Sequence, residues 1–130
     1  MDMTTTMAST WWKVGCFYGA SSVLFGAFGA HGLKARIGDD PARLASWATA
    51  AHYQLIHSVA LLVAEQAAPK NVWAKSLFTA GMTMFSGSIY LLILDRERFK
   101  FLGPVTPLGG LSLIGGWVAL AFASRGRIRM

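Results

Sequence analysis

Residues 12–33 have the sequence WKVGCFYGASSVLFGAFGAHGL, an apolar stretch with one lysine near its start and one histidine near its end. Its small residues recur at alternating steps of four and three, at Gly15, Gly19, Ser22, Gly26 and Gly29. On a helix this spacing places all five on one narrow stripe. A stripe of small side chains lets a second helix approach closely, as helices do in lipid. We therefore interpret residues 12–33 as the first span of a compact membrane bundle.

Three further apolar stretches follow in the 130-residue chain, at about 43–66, 72–94 and 106–124. Each is close to the ~20 residues that a helix needs to cross a bilayer core. Only 14% of the residues are charged, against about 25% in an ordinary soluble domain. Short connections make consecutive spans antiparallel. The sequence thus predicts an all-α, integral membrane four-helix up-down bundle that occupies residues 1–130 as a single domain.

Small residues recur in the later spans at the same steps of three and four. In span 4 they are Gly109, Ser112, Gly116, Ala119 and Ala123. In span 3 the stripe of small and hydroxylated residues is Ser76, Ala80, Thr83, Gly87 and Tyr90. We predict that these stripes face neighbouring helices, because each can accept the close approach of another span.

The chain is basic, with a net charge of +6. The lysines and arginines lie at span ends, in the connections and in a tail that contains Arg125, Arg127 and Arg129. Contact with anionic lipid headgroups explains this placement, so we do not expect nucleic-acid binding. The tail favours a topology with both termini on the cytoplasmic or matrix side.

Four ionisable residues stand out within or beside the first two spans: His31, His52, His57 and Glu65. Such residues are costly in lipid and are therefore candidate functional sites. His31 and His52 could ligate a haem, and His57 with Glu65 could bind a proton or a quinone. We favour a structural role, in which the histidines bond to helix ends or across helices, and we place Glu65 near the headgroups.

No catalytic constellation is recognisable in the sequence. The glycine-rich segment GPVTPLGG at 103–110 lacks the lysine and hydroxyl residue of a phosphate loop. The three histidines do not have the spacing of a metal site, and nothing pairs a nucleophile with a base. We therefore expect no catalytic residues, no bound metal or cofactor, and no enzymatic activity.

Four motifs occur in a recognisable order: GAFGAHGL at 26–33, AHYQLIHSVALL at 51–62, FSGSIYLL at 85–92 and PVTPLGGLSLIGGWVALA at 104–121. Together they resemble a family of small four-span membrane proteins of unknown function, which includes bacterial inner-membrane proteins and the mitochondrial transmembrane protein 256 of animals. The resemblance implies four spans and an inner-membrane setting, and it implies no activity.

These observations favour a non-enzymatic accessory or assembly subunit of a larger membrane complex, for which we take the respiratory chain of the mitochondrial inner membrane as the host. A bacterial inner membrane is the alternative setting. The expected partners are membrane lipids and other integral membrane subunits, with self-association along the glycine stripe as a further option. One alternative function is a haem- or quinone-binding protein that uses His31 and His52. The other is a small oligomeric transporter or channel, with a path lined by Tyr53, His57, Ser76 and Thr83.

Overall fold

The computed structural model describes residues 3–122, and every regular element in this range is helical. The prediction of an all-α fold is confirmed. The long helices are α1 (Met3–His31), α3 (Pro41–Ala67), α4 (Val72–Leu94) and α6 (Val105–Ala121). The connections contain α2 (Leu33–Ile37), α5 (Arg96–Phe99) and a 3-10 turn at Lys100–Leu102. The end of the predicted fourth span and the arginines at 125, 127 and 129 lie outside the described residues.

Side-chain caps and one glycine set the starts of the two central helices. Asp40 Oδ1 accepts a hydrogen bond from the backbone N–H of Arg43 at 3.3 Å, and Pro41 takes the first helical position of α3. Asn71 Oδ1 accepts from the backbone N–H of Ala74 at 3.1 Å and starts α4. Gly38 has a φ of 84°, which favours glycine, and it turns the chain from α2 into α3.

The four long helices pack in chain order. Helix α1 lies against α3, α3 against α4, and α4 against α6, whereas the first and last helices have no extensive contact with each other. Gly15 faces Leu62 and Gly29 faces Trp47, so α1 and α3 run antiparallel. The same holds for α4 and α6, where Gly81 faces Leu113 and Gly116 faces Phe78. Helices α3 and α4 therefore form the centre of the bundle, with α1 and α6 on its flanks.

Large apolar side chains cover the outside of this bundle as well as its core. The core is formed by clusters that include Trp47, Leu61 and Phe78. On the outside, Phe17 and Leu24 are both 70% exposed. Apolar exposure on this scale is typical of surfaces that face lipid or partner proteins.

Length and composition single out α4 as the described helix that could cross a membrane by itself. The segments Arg96–Leu102 and Val105–Ala121 meet the same criterion as a pair bent by 47°. The remaining long helices do not meet it. Glycine and serine lower the mean hydropathy of α1, and histidine, glutamine and glutamate lower that of α3. By this criterion the described residues contain one membrane span, or two if the bent pair forms a single span. The criterion therefore does not confirm the four predicted spans.

Candidate functional site

The small-residue stripe of α1 lies in the interface with α3. A Cβ atom added at Gly15 would lie 2.6 Å from Leu62 Cδ2, and one at Gly29 would lie 2.5 Å from Trp47 Cδ1. Between them, Gly19 faces the Ser58 side chain and Gly26 faces Ala51. Ser22 is buried and bonds to the Gly19 carbonyl within its own helix. Because α3 occupies this stripe, the stripe is not free to bind a second copy of the chain.

The stripe of α6 lies in the interface with α4. A Cβ atom at Gly116 would lie 2.6 Å from Phe78 Cδ1, and one at Gly109 would meet the backbone of α4. Ser112 Oγ donates to the Leu77 carbonyl at 2.9 Å. The stripe that we predicted for span 3 does not form one packing face. Ser76 and Ala80 are exposed, and a Cβ atom at Gly87 would meet nothing within 4 Å. Of its other members, Thr83 bonds to the Tyr18 hydroxyl of α1 and Tyr90 is buried.

His57 is buried and uses both ring nitrogens within the bundle. Its Nδ1 lies 2.7 Å from the Tyr53 carbonyl oxygen, and its Nε2 lies 3.0 Å from Trp117 Nε1. An indole N–H can only donate and a carbonyl can only accept, so the imidazole is neutral with its proton on Nδ1. His57 thus links α3 to α6 by hydrogen bonds and has no ring nitrogen left for a metal or haem.

His31 and His52 are both exposed and are not brought together as facing ligands. Gly26 faces Ala51 across the interface between α1 and α3. His52 follows Ala51 directly and His31 is five residues beyond Gly26. Because the two helices are antiparallel, these offsets add, and the two histidines lie about 9 Å apart along the helix axes. Within residues 3–122, no group of three or more histidine, cysteine, aspartate or glutamate side chains could hold a metal ion. The geometry gives the haem-binding alternative no support.

Glu65 is buried inside the bundle at 4% exposure, in the last turn of α3. Its position near the headgroups stays a prediction. Its Oε2 atom accepts a hydrogen bond from Lys75 Nζ at 3.1 Å. Lys75 also donates to the Pro69 carbonyl at 2.6 Å and lies over the Trp11 ring. The ion pair joins the end of α3 to the start of α4 inside the bundle. Lys75 was not among the residues predicted from the sequence.

The four residues of the transporter alternative do not line one path. Tyr53, Ser76 and Thr83 are exposed, whereas His57 is buried. Thr83 forms a hydrogen bond with the Tyr18 hydroxyl of α1, and His57 faces Trp117 of α6. These contacts lie on opposite flanks of the central pair, so a path through the described part of one chain is not formed.

Gln54 is the centre of a second buried network that the sequence analysis missed. Its Nε2 donates to the Tyr18 carbonyl at 2.9 Å and to Ser21 Oγ at 2.7 Å. Its Oε1 accepts from the Tyr90 hydroxyl at 2.9 Å. Across the described part of the chain, every buried side-chain nitrogen and oxygen atom has a partner. The buried polar side chains of the described residues are therefore bonded within the bundle, to other side chains or to backbone carbonyls.

A charged cleft opens at the end of the bundle where α4 ends and α3 begins. It has a volume of about 570 Å³, and Leu92 and Ile93 provide its apolar wall. Its remaining lining residues are Asp40, Arg43, Arg96, Lys100 and Gly103. The Arg43 guanidinium donates to the Ile93 carbonyl at the end of α4 and so joins the two sides of the cleft.

We expect His57→Ala to destabilise the protein by about 1–3 kcal/mol, because the buried imidazole would be lost and the Trp117 indole N–H would lose its acceptor. The measurement is unfolding in detergent followed by tryptophan fluorescence. His52→Ala is the matched control, since His52 is exposed on the same helix and should change stability by no more than about 0.5 kcal/mol. Equal effects of the two substitutions would contradict a bonded role for His57.

The chain matches the family described as "Protein of unknown function (DUF423)" over residues 25–110. A UPF0382 membrane protein of Schizosaccharomyces pombe is 39% identical over 116 residues, which cover 85% of this chain and 98% of that protein. A UPF0382 membrane protein of Staphylococcus aureus is 45% identical over 103 residues, covering 76% and 81%. Another from Bacillus subtilis is 37% identical over 120 residues, covering 86% and 96%. No solved structure matches the chain.

Proposed function

Because the chain belongs to the DUF423 family of UPF0382 membrane proteins, whose function is unknown, we propose that it is a non-enzymatic accessory or assembly subunit of a larger membrane complex. The observation that carries this proposal is the contrast between the interior and the surface of the bundle. The buried polar side chains are hydrogen-bonded within it, whereas many large apolar side chains are exposed. In residues 10–122, whose side chains the structure describes, each buried side-chain nitrogen and oxygen atom has a partner inside the bundle. The described surface consists mainly of apolar helix faces, which are available for contact with other molecules.

In this proposal all four long helices cross the bilayer. Helix α1 has 29 residues and α3 has 27, more than the ~20 needed for a span. The polar residues that lower their hydropathy include Gln54 and Glu65, which are bonded to neighbouring helices. Internal pairing reduces the cost of placing polar groups in lipid, and small residues permit close packing there. The low hydropathy of α1 and α3 is thus compatible with a membrane-embedded bundle.

Two separate apolar flanks are available for partner helices. Phe17 and Leu24 are exposed on α1, and Leu111 and Ile114 are exposed on α6. Because α1 and α6 do not close on each other, each flank can contact a different neighbour. A subunit built in this way contributes packing surface to a complex and needs no catalytic group of its own.

We propose the respiratory chain as the host complex, in the mitochondrial inner membrane or in the bacterial inner membrane. The relatives support this choice through their distribution, since they occur in Schizosaccharomyces pombe and in the bacteria Staphylococcus aureus and Bacillus subtilis. An energy-converting membrane is one that both kinds of organism possess.

The test is native electrophoresis of membranes solubilised in mild detergent, followed by mass spectrometry of the co-migrating proteins. We expect the protein to migrate with a respiratory complex. The variant Leu111→Asn/Ile114→Asn should release it if the α6 flank docks, and Phe17→Asn/Leu24→Asn should release it if the α1 flank docks. Migration of the wild-type protein as a small free species would contradict the proposal.

A further inference from the structure

The charged cleft is separate from the buried networks around His57, Glu65 and Gln54. Three cationic side chains, Arg43, Arg96 and Lys100, line it together with one carboxylate, that of Asp40. We propose that this cleft binds the phosphate group of an anionic phospholipid headgroup, while the acyl chains of that lipid remain in the bilayer. Arginine and lysine donors are the groups that proteins use most often to bind phosphate oxygens.

The cationic side chains of the cleft have N–H donors that form no hydrogen bond within the described part of the protein. The side chains of Arg96 and Lys100 are exposed and form no hydrogen bond or ion pair with residues 10–122, the part of the chain whose side chains are described. Arg43 donates through one nitrogen to the Ile93 carbonyl, and a guanidinium has five N–H donors in all. The Asp40 carboxylate accepts the backbone N–H of Arg43 as the cap of α3. The positive charge of the cleft therefore exceeds its negative charge, and most of its donors are uncommitted.

The position of the cleft fits a headgroup. It adjoins the end of α4, which is the helix of the described chain with the clearest apolar span. The chain then bends by 47° between the segment Arg96–Leu102 and α6. Basic and aromatic side chains alternate in this bend, where Phe101 follows Lys100 and is 69% exposed. Such alternation is typical of segments at the lipid–water interface, where phosphate groups are concentrated.

This inference rests on the proposed placement of α4 across the bilayer, but not on any partner protein. The experiment uses the full chain, purified in mild detergent and titrated with phosphatidylglycerol or phosphatidylcholine, with retained lipid counted by native mass spectrometry. The cleft variant is Arg96→Gln/Lys100→Gln. Arg43 is left intact because it bonds to α4.

The matched control is Lys34→Gln/Arg98→Gln, which removes the same charge from the same end of the bundle at residues that do not line the cleft. The wild-type protein should retain one phosphatidylglycerol in preference to phosphatidylcholine. The cleft variant should bind phosphatidylglycerol about 30-fold more weakly, since each basic group near an anionic lipid contributes about a fivefold gain in affinity. The control variant should lose no more than about threefold, because its charges do not touch the bound phosphate.

Three results would overturn the inference. Equal losses in the two variants would indicate diffuse attraction rather than a site. Equal retention of the two lipids by the wild-type protein would exclude headgroup selection. Displacement of the lipid by millimolar inorganic phosphate would identify a soluble phosphate as the ligand. An alkaline carbonate wash of the membranes tests the premise that α4 crosses the bilayer. If the protein stays in the washed membranes but does not select phosphatidylglycerol, the cleft assignment is wrong while the premise stands.

Discussion

The variant Lys75→Met should lower the free energy of unfolding by about 3–5 kcal/mol, which is the typical cost of leaving a buried charge without its partner. Lys75 is 2% exposed and Glu65 is 4% exposed, so water cannot solvate the carboxylate that remains. The two charged atoms lie 3.1 Å apart at the end of the α3–α4 hairpin. The measurement is unfolding in detergent, followed by tryptophan fluorescence.

The double variant Glu65→Gln/Lys75→Met is the control for this prediction. It loses the same lysine contacts with Pro69 and Trp11, but it leaves no unpaired charge. It should therefore recover most of the stability that Lys75→Met loses, because a neutral replacement of a buried pair is often well tolerated. If the single and double variants were equally stable, the carboxylate would be solvated or protonated at no cost, and a tight buried ion pair would be excluded.

The variant Gly109→Ala should destabilise the protein by about 1–3 kcal/mol, the usual cost of overpacking a close contact. An added Cβ atom would lie 2.8 Å from Phe85 Cα and equally close to the carbonyl carbon of Met84. These are backbone atoms of α4 and cannot move as a flexible side chain can. The two helices must therefore separate to admit the methyl group. Detergent unfolding again provides the measurement.

Gly110→Ala is the matched control, because the neighbouring glycine lies on the same turn of α6. The nearest atom to a Cβ at this position is Phe85 Cδ2, at an ordinary distance of 3.7 Å. We expect a change within about 0.5 kcal/mol, or a small gain in stability from the better helix former. Similar losses in the two variants would mean that α6 does not pack on α4 through Gly109.

The stripes of α1 and α6 could be read from the sequence, whereas that of α4 could not. A flank helix has one main neighbour, so its small residues identify the face in contact. Helix α4 is packed on several sides, and large residues such as Phe78 and Met82 form its buried face. Its important small residue is Gly81, which receives Leu113 from α6. Residue spacing identifies a stripe but not the partner that covers it.

The polar contacts show a similar limit. A bonding role for His57 could be anticipated, because a buried histidine needs partners, but the choice of Trp117 depends on the packing of α6. The pairing of Glu65 with Lys75 depends on the turn between α3 and α4, which returns the lysine beside the carboxylate. The cleft joins residues from two connections that are far apart in the sequence. Contacts of these kinds arise from tertiary structure, for which residue spacing carries no signal.

The most direct test of the account is the topology of the chain in sealed membrane vesicles. Cys16 is exposed and would be replaced by serine, and single cysteines would be placed at Asp39, Lys70 or Arg98, which are exposed in the connections. A membrane-impermeant maleimide would then be applied before and after permeabilisation. We expect Asp39→Cys and Arg98→Cys to label from the same side and Lys70→Cys to label from the opposite side. Labelling of all three from one side would contradict a bundle that crosses the bilayer with each long helix.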